Sequence, residues 1–293
     1  MPHLFCFGLG YSAQALIRRL APGGWTISGT NRSGEPVGEC RKVWRFDGTS
    51  SISAAALEGV DHLLIAIPPG ETGDPVLGFH ERDLARRAVQ FGWVGYLSTT
   101  GVYGDRGGEW VNEDSLLTPN TDRGHRRLDA ENAWLGLYVR SGLPVHIFRL
   151  AGIYGPGRNQ LVSLSDGTAR RVIKPGQVFS RIHVDDIAGV LEASIAKPHP
   201  GSAYNVCDDE PSPPQDVIAY AAHLLGRAPP PAVPFEQAAL SPMAKSFYAD
   251  SKRVSNKRIR EELGYRLRYP TYREGLRALL ATNKLEAGPG QSS

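Results

Sequence analysis

An apolar run, Leu4-Phe5-Cys6-Phe7, ends in Gly8-Leu9-Gly10-Tyr11-Ser12-Ala13, and a helical pattern starts at once. Ala13, Leu16, Ile17 and Leu20 fall at i, i+3, i+4 and i+7, one face of a helix. Strand, glycine turn and helix in direct succession leave few folds open. The order predicts the first βα unit of a parallel sheet. In that context Gly8 allows the tight turn, Gly10 lets a pyrophosphate approach the backbone, and Ala13 keeps the helix close to the strand. The helix N-terminus offers unpaired N–H groups to the anion. Gly8, Gly10, Tyr11, Ser12 and Ala13 are therefore expected to face the pyrophosphate of a dinucleotide. The plainer alternative is a tight turn without a ligand.

The pattern continues along the chain. Trp25–Thr30 reads as a second strand, Lys42–Phe46 as a short third, and Asp61–Ile67 as a buried fourth stopped by Pro68 and Pro69. A helix through Leu84, Ala88 and Phe91 leads to a fifth strand, Trp93–Ser98. A helix with Ala130, Trp134, Leu137 and Tyr138 on one face precedes a sixth, Pro144–Leu150. Strands alternating with helices predict an α/β fold, a doubly wound parallel Rossmann sheet, with a smaller C-terminal substrate lobe. The expected core is 1–155, completed by about 183–206, where a helix through Ile187 and a strand Ala203–Val206 follow. The lobe is expected at 156–182 and 207–286, with a proline-rich loop at 228–235 and a charged helix over 251–263. The small, polar stretch 287–293 reads as a disordered tail.

Composition narrows the function classes. A net charge of +3 over 293 residues gives no electrostatic reason to expect nucleic acid, and the arginine-rich patches at 123–127 and 252–260 read as solvated helix faces. No run approaches the ~20 apolar residues of a membrane span. Cys6, Cys40 and Cys207 are scattered and fit neither a metal site nor a disulfide framework, so no metal is expected. A first strand starting near residue 3 leaves no room for a signal peptide, and the expected compartment is the cytoplasm.

Five segments occur in order: Gly8–Ala13, Ser98-Thr-Thr-Gly-Val-Tyr-Gly104, Arg149-Leu-Ala-Gly-Ile-Tyr-Gly-Pro156, Arg181-Ile-His-Val-Asp-Asp186 and Tyr204-Asn-Val-Cys-Asp-Asp209. Together they resemble the extended short-chain dehydrogenase/reductases of the NAD-dependent epimerase/dehydratase family. Asp250–Asn256, Glu262–Tyr265 and Tyr269–Gly275 resemble an atypical, YeeZ-like branch of it. The departure from the family is as informative as the match. The family's Tyr-x-x-x-Lys pair, aligned through Gly124 and Glu131, falls on Arg123 and Arg127. Its catalytic Ser/Thr falls on Thr99.

The candidate sites follow. At the end of strand two, Asn31-Arg32-Ser33 carries no acid to receive the ribose hydroxyls of NAD, while Arg32 can pair with a 2′-phosphate. The expected cofactor is therefore NADP, with NAD left open. Asp47 reads two ways, as an adenine contact implied by the resemblance or as a cap for a helix at 51–57. Ile67 and Pro68 line the adenosine ribose or simply end a strand. The resemblance places Gly152 and Ile153 beside the nicotinamide. Thr99 polarises a substrate oxygen or completes a turn, and Tyr103 is a substrate-side tyrosine or a buried wall. Arg127 holds ribose hydroxyls or a substrate anion, or pairs with Glu131 on the surface; guanidinium keeps its proton and serves as neither acid nor base. Arg123, Tyr154 and His183 are the remaining substrate candidates, and Asp185 the expected cap of the helix through Ile187.

The resulting expectation is an NADP(H)-dependent oxidoreductase or epimerase acting on a small polar or sugar-like molecule without the usual Tyr-Lys pair. The partner is a small-molecule substrate, and a homodimer is compatible with the chain. The other class is a non-catalytic NADP(H)-binding sensor or scaffold.

Overall fold

The computed structural model describes residues 1–282, and the expected tail at 287–293 lies outside them. Seven strands form one sheet: β1 (His3–Phe7), β2 (Thr26–Asn31), β3 (Lys42–Arg45), β4 (His62–Ile65), β5 (Trp93–Thr99), β6 (Val145–Leu150) and β7 (Ala203–Val206). Their order is β7-β6-β5-β4-β1-β2-β3 and every pairing is parallel. The central strands are apolar on both faces because helices cover both. The order reverses between β1 and β4, so the glycine turn after β1 sits at the crevice where open α/β sheets bind ligands.

One face of the sheet carries α1 (Tyr11–Leu20) and α5 (Val184–Ala196), whose Ala13, Leu16, Ile17, Ile187, Val190 and Leu191 share one core cluster. The other carries α2 (Pro75–Arg86) and α3 (Asp122–Ser141), with Val76, Leu84, Ala130, Trp134 and Leu137 in a second. Beyond Tyr154 a third cluster joins α4 (Gln160–Ser165), α6 (Pro214–Leu224) and a C-terminal helix, Tyr272–Ala281, that starts with a Thr271–Glu274 capping box.

Three local expectations change. The charged helix expected over 251–263 is split: Arg253–Val254 pairs as a strand with Trp110–Val111, and only Lys257–Glu261 is helical. Partners outside the segment hold it extended, since Val254 N donates to Ser180 Oγ and Arg253 N to Glu109 O. In the proline-rich stretch, Ala232–Pro234 forms a strand beside Arg171–Ile173. The fourth strand stops at Ile65, two residues early; Ala66 N still donates to Phe7 O at 2.9 Å, and Ile67 then lies against Gly8.

Candidate functional site at the carboxyl edge of the sheet

The turn after β1 is built for glycine. Gly8 has φ +94°, and a Cβ there would lie 2.8 Å from Ile67 Cγ1 and 3.3 Å from its backbone nitrogen. Thr30, at the end of β2, clamps the turn by accepting from Gly8 N through Oγ1 at 3.1 Å and from Leu9 N through its carbonyl at 2.9 Å. Gly10 differs: it is extended, caps α1 without a side-chain hydrogen bond, and would put a Cβ into open space. The first turn of α1 holds no acid and the last turn holds Arg18 and Arg19. The helix thus presents free N–H groups and its positive end to the opening in front of Gly10. Ser12 and Ala13 are buried against the sheet. Tyr11 does not aim its hydroxyl at this opening. It donates to Pro156 O at 3.0 Å, and burial pushes the phenol up to about 12. Tyr11 therefore ties the glycine turn to the Gly155–Arg158 turn.

Asn31 at the end of β2 was expected at the cofactor, yet its side chain builds the next turn. Its Oδ1 accepts from Gly34 N at 2.5 Å and Ser33 Oγ at 3.2 Å, and its Nδ2 donates to Glu35 O at 2.8 Å. That turn carries Arg32 exposed at its tip. Asp47 does not cap the next helical segment; Ser53 does, accepting from Ala55 N. Asp47 instead accepts from Thr49 Oγ1 at 2.6 Å, from Thr49 N at 3.1 Å and from Arg45 at 3.1 Å. The Thr49 hydroxyl, more than Arg45, holds its carboxyl below the usual range. Ile67, by contrast, is brought against the glycine turn, with Pro68 directly after it.

At the end of β5, Thr99 accepts from Gly101 N at 3.2 Å and so starts the short helical turn Thr100–Tyr103. Tyr103 is fully buried. Its hydroxyl donates to Asn205 Oδ1 at 2.8 Å, receives Arg149 at 2.9 Å, and is pushed by burial up to about 12. Both facts place it in the wall behind the cleft rather than at a reacting atom. Arg127 is not half of a surface pair with Glu131. It is 7% exposed, and its Nη1 donates to Leu97 O at 2.6 Å and Tyr96 Oη at 3.3 Å. Glu131, 1% exposed, pairs instead with Arg149. One turn earlier on α3, Arg123 is exposed and lies 5.8 Å over the ring of Phe247.

Past β6, Gly152 is exposed and Ile153 half-buried on a short strand, Gly152–Tyr154, paired with Arg181–His183. Tyr154 is 4% exposed in the third core cluster. His183 is 1% exposed between Tyr154 and Tyr269, at ring distances of 5.1 and 4.1 Å. Its Nδ1 accepts from Asp185 N at 3.1 Å, so His183, not Asp185, caps α5. Packing removes Tyr154 and His183 from the surface a ligand reaches.

The sequence reading missed Arg158, which is exposed on the turn bonded to Tyr11. Although Arg123 is exposed by surface area, the protein packed around it and then the charges of Arg127 and Arg158 lower its affinity for its proton. The Gly155-Pro156-Gly157-Arg158 run was a signal for a tight turn that delivers an arginine. Lys252, expected on a solvated helix face, is instead 7% exposed and lies outside any helix. Its Nζ donates to Gly104 O at 2.8 Å and pairs with Asp250 at 3.0 Å, fastening the late segment to the loop after β5.

No family model matches the chain. Protein YeeZ of Escherichia coli strain K12 is 29% identical over 283 residues, 90% of this chain and 94% of that protein. A functionally unknown conserved protein from Silicibacter pomeroyi is 55% identical, with a TM-score of 0.90 over 96% of this chain and 99% of that one. At the level of fold alone, dTDP-glucose 4,6-dehydratase from Bacillus anthracis, solved with NAD, superposes with a TM-score of 0.76 at 16% identity, covering 96% of each chain.

Proposed function

We propose that this chain, a YeeZ-like member of the atypical short-chain dehydrogenase/reductases, binds NADP(H) across the carboxyl edge of its sheet and acts as an oxidoreductase or epimerase on a small polar or sugar-like substrate. The observation that carries the reading is the open backbone at Gly10, beside a helix end that has no side-chain cap. A pyrophosphate fits that cradle, and a Cβ would fill it. Arg32, without an acid at the end of β2, supports the 2′-phosphate form of the cofactor. The nicotinamide supplies the hydride chemistry when bound.

The chain's own residues divide the rest. The Gly8–Ala13 turn holds the pyrophosphate, Ile67 and Pro68 shape the ribose wall, and Gly152 and Ile153 leave room for the nicotinamide ring. Arg123 and Arg158 supply positive charge at the mouth of the cleft, which suits an anionic group on the substrate. Thr99 stands at the position of the family's Ser/Thr and offers its hydroxyl to a substrate oxygen. We assign the substrate lobe to 156–182 and 207–282, residues 283–286 of the expected lobe lying outside the described residues, and a cytoplasmic setting, on the same reading.

A sensor without turnover is the second reading, favoured by Arg123 and Arg127 at the positions of the family's Tyr-Lys pair. Guanidinium groups do not exchange protons at working pH. The test is a titration with NADPH followed by a nicotinamide absorbance assay over carbonyl compounds and sugar nucleotides. Tight NADPH binding with substrate-dependent oxidation supports the enzyme, and binding without turnover supports the sensor. Failure to bind any nicotinamide dinucleotide overturns both.

A further inference from the structure

β2 and β3 run parallel with Asn31 opposite Arg45, and Phe46 N donates to Asn31 O at 2.8 Å. Beyond that bond the two chains part, one into the turn carrying Arg32 and the other into Asp47–Thr49. Arg45 therefore stands one strand away from Arg32 at the same carboxyl edge. The turn that carries Arg32 packs on the start of the Arg45 residue at Gly34. Gly34 has φ +79°, and a Cβ on it would lie 3.3 Å from both the backbone nitrogen and the Cβ of Arg45. The same turn is fixed from within by the Asn31 side chain, at 2.5 Å from Gly34 N. Arg32 and Arg45 thus project from two backbones whose relative position is set by a ladder bond and a close glycine contact.

The side chain of Arg45 is 72% exposed and is leashed at one corner, where Nη2 lies 3.1 Å from Asp47 Oδ2. Asp47 is itself anchored by Thr49 from the opposite side. A leash on one nitrogen leaves the rest of the guanidinium fork available and limits its wandering.

We propose that Arg45 is the second cation of a 2′-phosphate site, so that a phosphomonoester on the adenosine ribose lies between Arg32 and Arg45. The inference rests on the reading of this edge as an NADP(H) site and adds a residue to it. A phosphomonoester carries a charge of about −2 at neutral pH, more than Arg32 alone balances, and the part of the Arg45 fork that Asp47 leaves free adds charge-assisted donors to it. Two forks from different strands also select geometry, because each can donate a pair of parallel bonds to phosphate oxygens. NADH lacks the phosphate and gains nothing from the second fork.

The test is fluorescence titration of NADPH and NADH against wild type, Arg45→Ala, Arg45→Lys and Arg32→Ala, at several salt concentrations. Arg45→Ala should weaken NADPH about tenfold while NADH stays within about twofold. Arg45→Lys should recover part of the loss, and the salt dependence of NADPH binding should be shallower in Arg45→Ala than in wild type. If wild type prefers NADPH and Arg45→Ala keeps the same NADPH-to-NADH ratio, the Arg45 assignment is overturned while the NADP(H) reading stands. Equal wild-type affinities overturn both. Equal loss of both cofactors in Arg45→Ala, with Arg45→Lys no better, makes Arg45 structural and also overturns the assignment.

Discussion

Glu131 and Arg149 form a buried ion pair beneath the cleft, Arg149 Nη2 donating to Glu131 Oε2 at 2.9 Å and Nε lying 3.2 Å from the same oxygen. Their side chains are 1% and 5% exposed. Ser98 Oγ donates to the same carboxylate, and Arg149 also reaches Tyr103. The pair fastens α3 to β5 and β6, and so fixes the helix that presents Arg123 and Arg127.

Breaking this pair from one side should be costly. Glu131→Ala leaves a guanidinium buried without its carboxylate, and losses of about 3–5 kcal/mol are typical of that situation. Urea unfolding of wild type and variant measures it. A loss under about 1 kcal/mol would mean that water or a shifted side chain takes over the carboxylate's role.

The two glycines of the first turn should separate by phenotype. Gly8→Ala meets Ile67 in a left-handed conformation, so it should lose stability as well as binding. A Cβ at Gly10 meets no protein atom within 4 Å, so Gly10→Val should keep its far-UV circular dichroism and melting temperature while NADPH binding disappears. Retained NADPH affinity in Gly10→Val would move the phosphate site elsewhere.

Arg32→Glu should invert the cofactor preference. Removing one charge-assisted phosphate contact costs about 1.5–3 kcal/mol, and the new acid can accept from ribose hydroxyls. NADPH should weaken at least tenfold while NADH holds or improves, as read by paired titrations. Unchanged selectivity in this variant contradicts the assignment.

Arg127→Ala should act first on stability. The substitution removes the donor to Leu97 O inside the protein, a change of about 1–3 kcal/mol. No ionisation in any pH–rate profile should trace to Arg123 or Arg127. A profile whose proton-donor limb vanishes only in Arg123→Ala would restore a family-type acid at that position.

His146 sets a pH dependence of folding. It is fully buried on β6, its Nδ1 lies 3.3 Å from Val94 O, and burial lowers its pKa to about 4. The unfolded chain binds a proton near 6.5 that the folded chain refuses until about 4, so unfolding takes up a proton between these values. Stability should fall as pH drops through that window, by up to roughly 3 kcal/mol from this residue. His146→Phe should flatten that part of the curve, measured by urea unfolding at pH 7 and pH 4.5.

The first turn was legible because its constraints are local. A left-handed φ at Gly8, an unobstructed Gly10 and the i, i+3, i+4 spacing of α1 are properties of neighbouring residues, and so is the exposed Arg32 after β2. The alternation of strands and helices likewise carried the parallel sheet, since each element's period is written in its own segment. Side-chain partners are another matter. Whether Glu131 meets Arg127 four residues away or Arg149 eighteen away is decided by the order β6-β5-β4, which brings Arg149 under α3. That order also buries Tyr103 against Asn205 on β7, and the pairing of Gly152–Tyr154 with Arg181–His183 makes His183 a helix cap. The sequence by itself determined the parallel sheet, its first turn and the helices beside it, whereas Arg253–Val254 and Ala232–Pro234 became strands only by pairing with distant segments. Only the tertiary structure decided which polar groups are sealed inside and which face the cleft, because burial depends on neighbours that are distant in the chain.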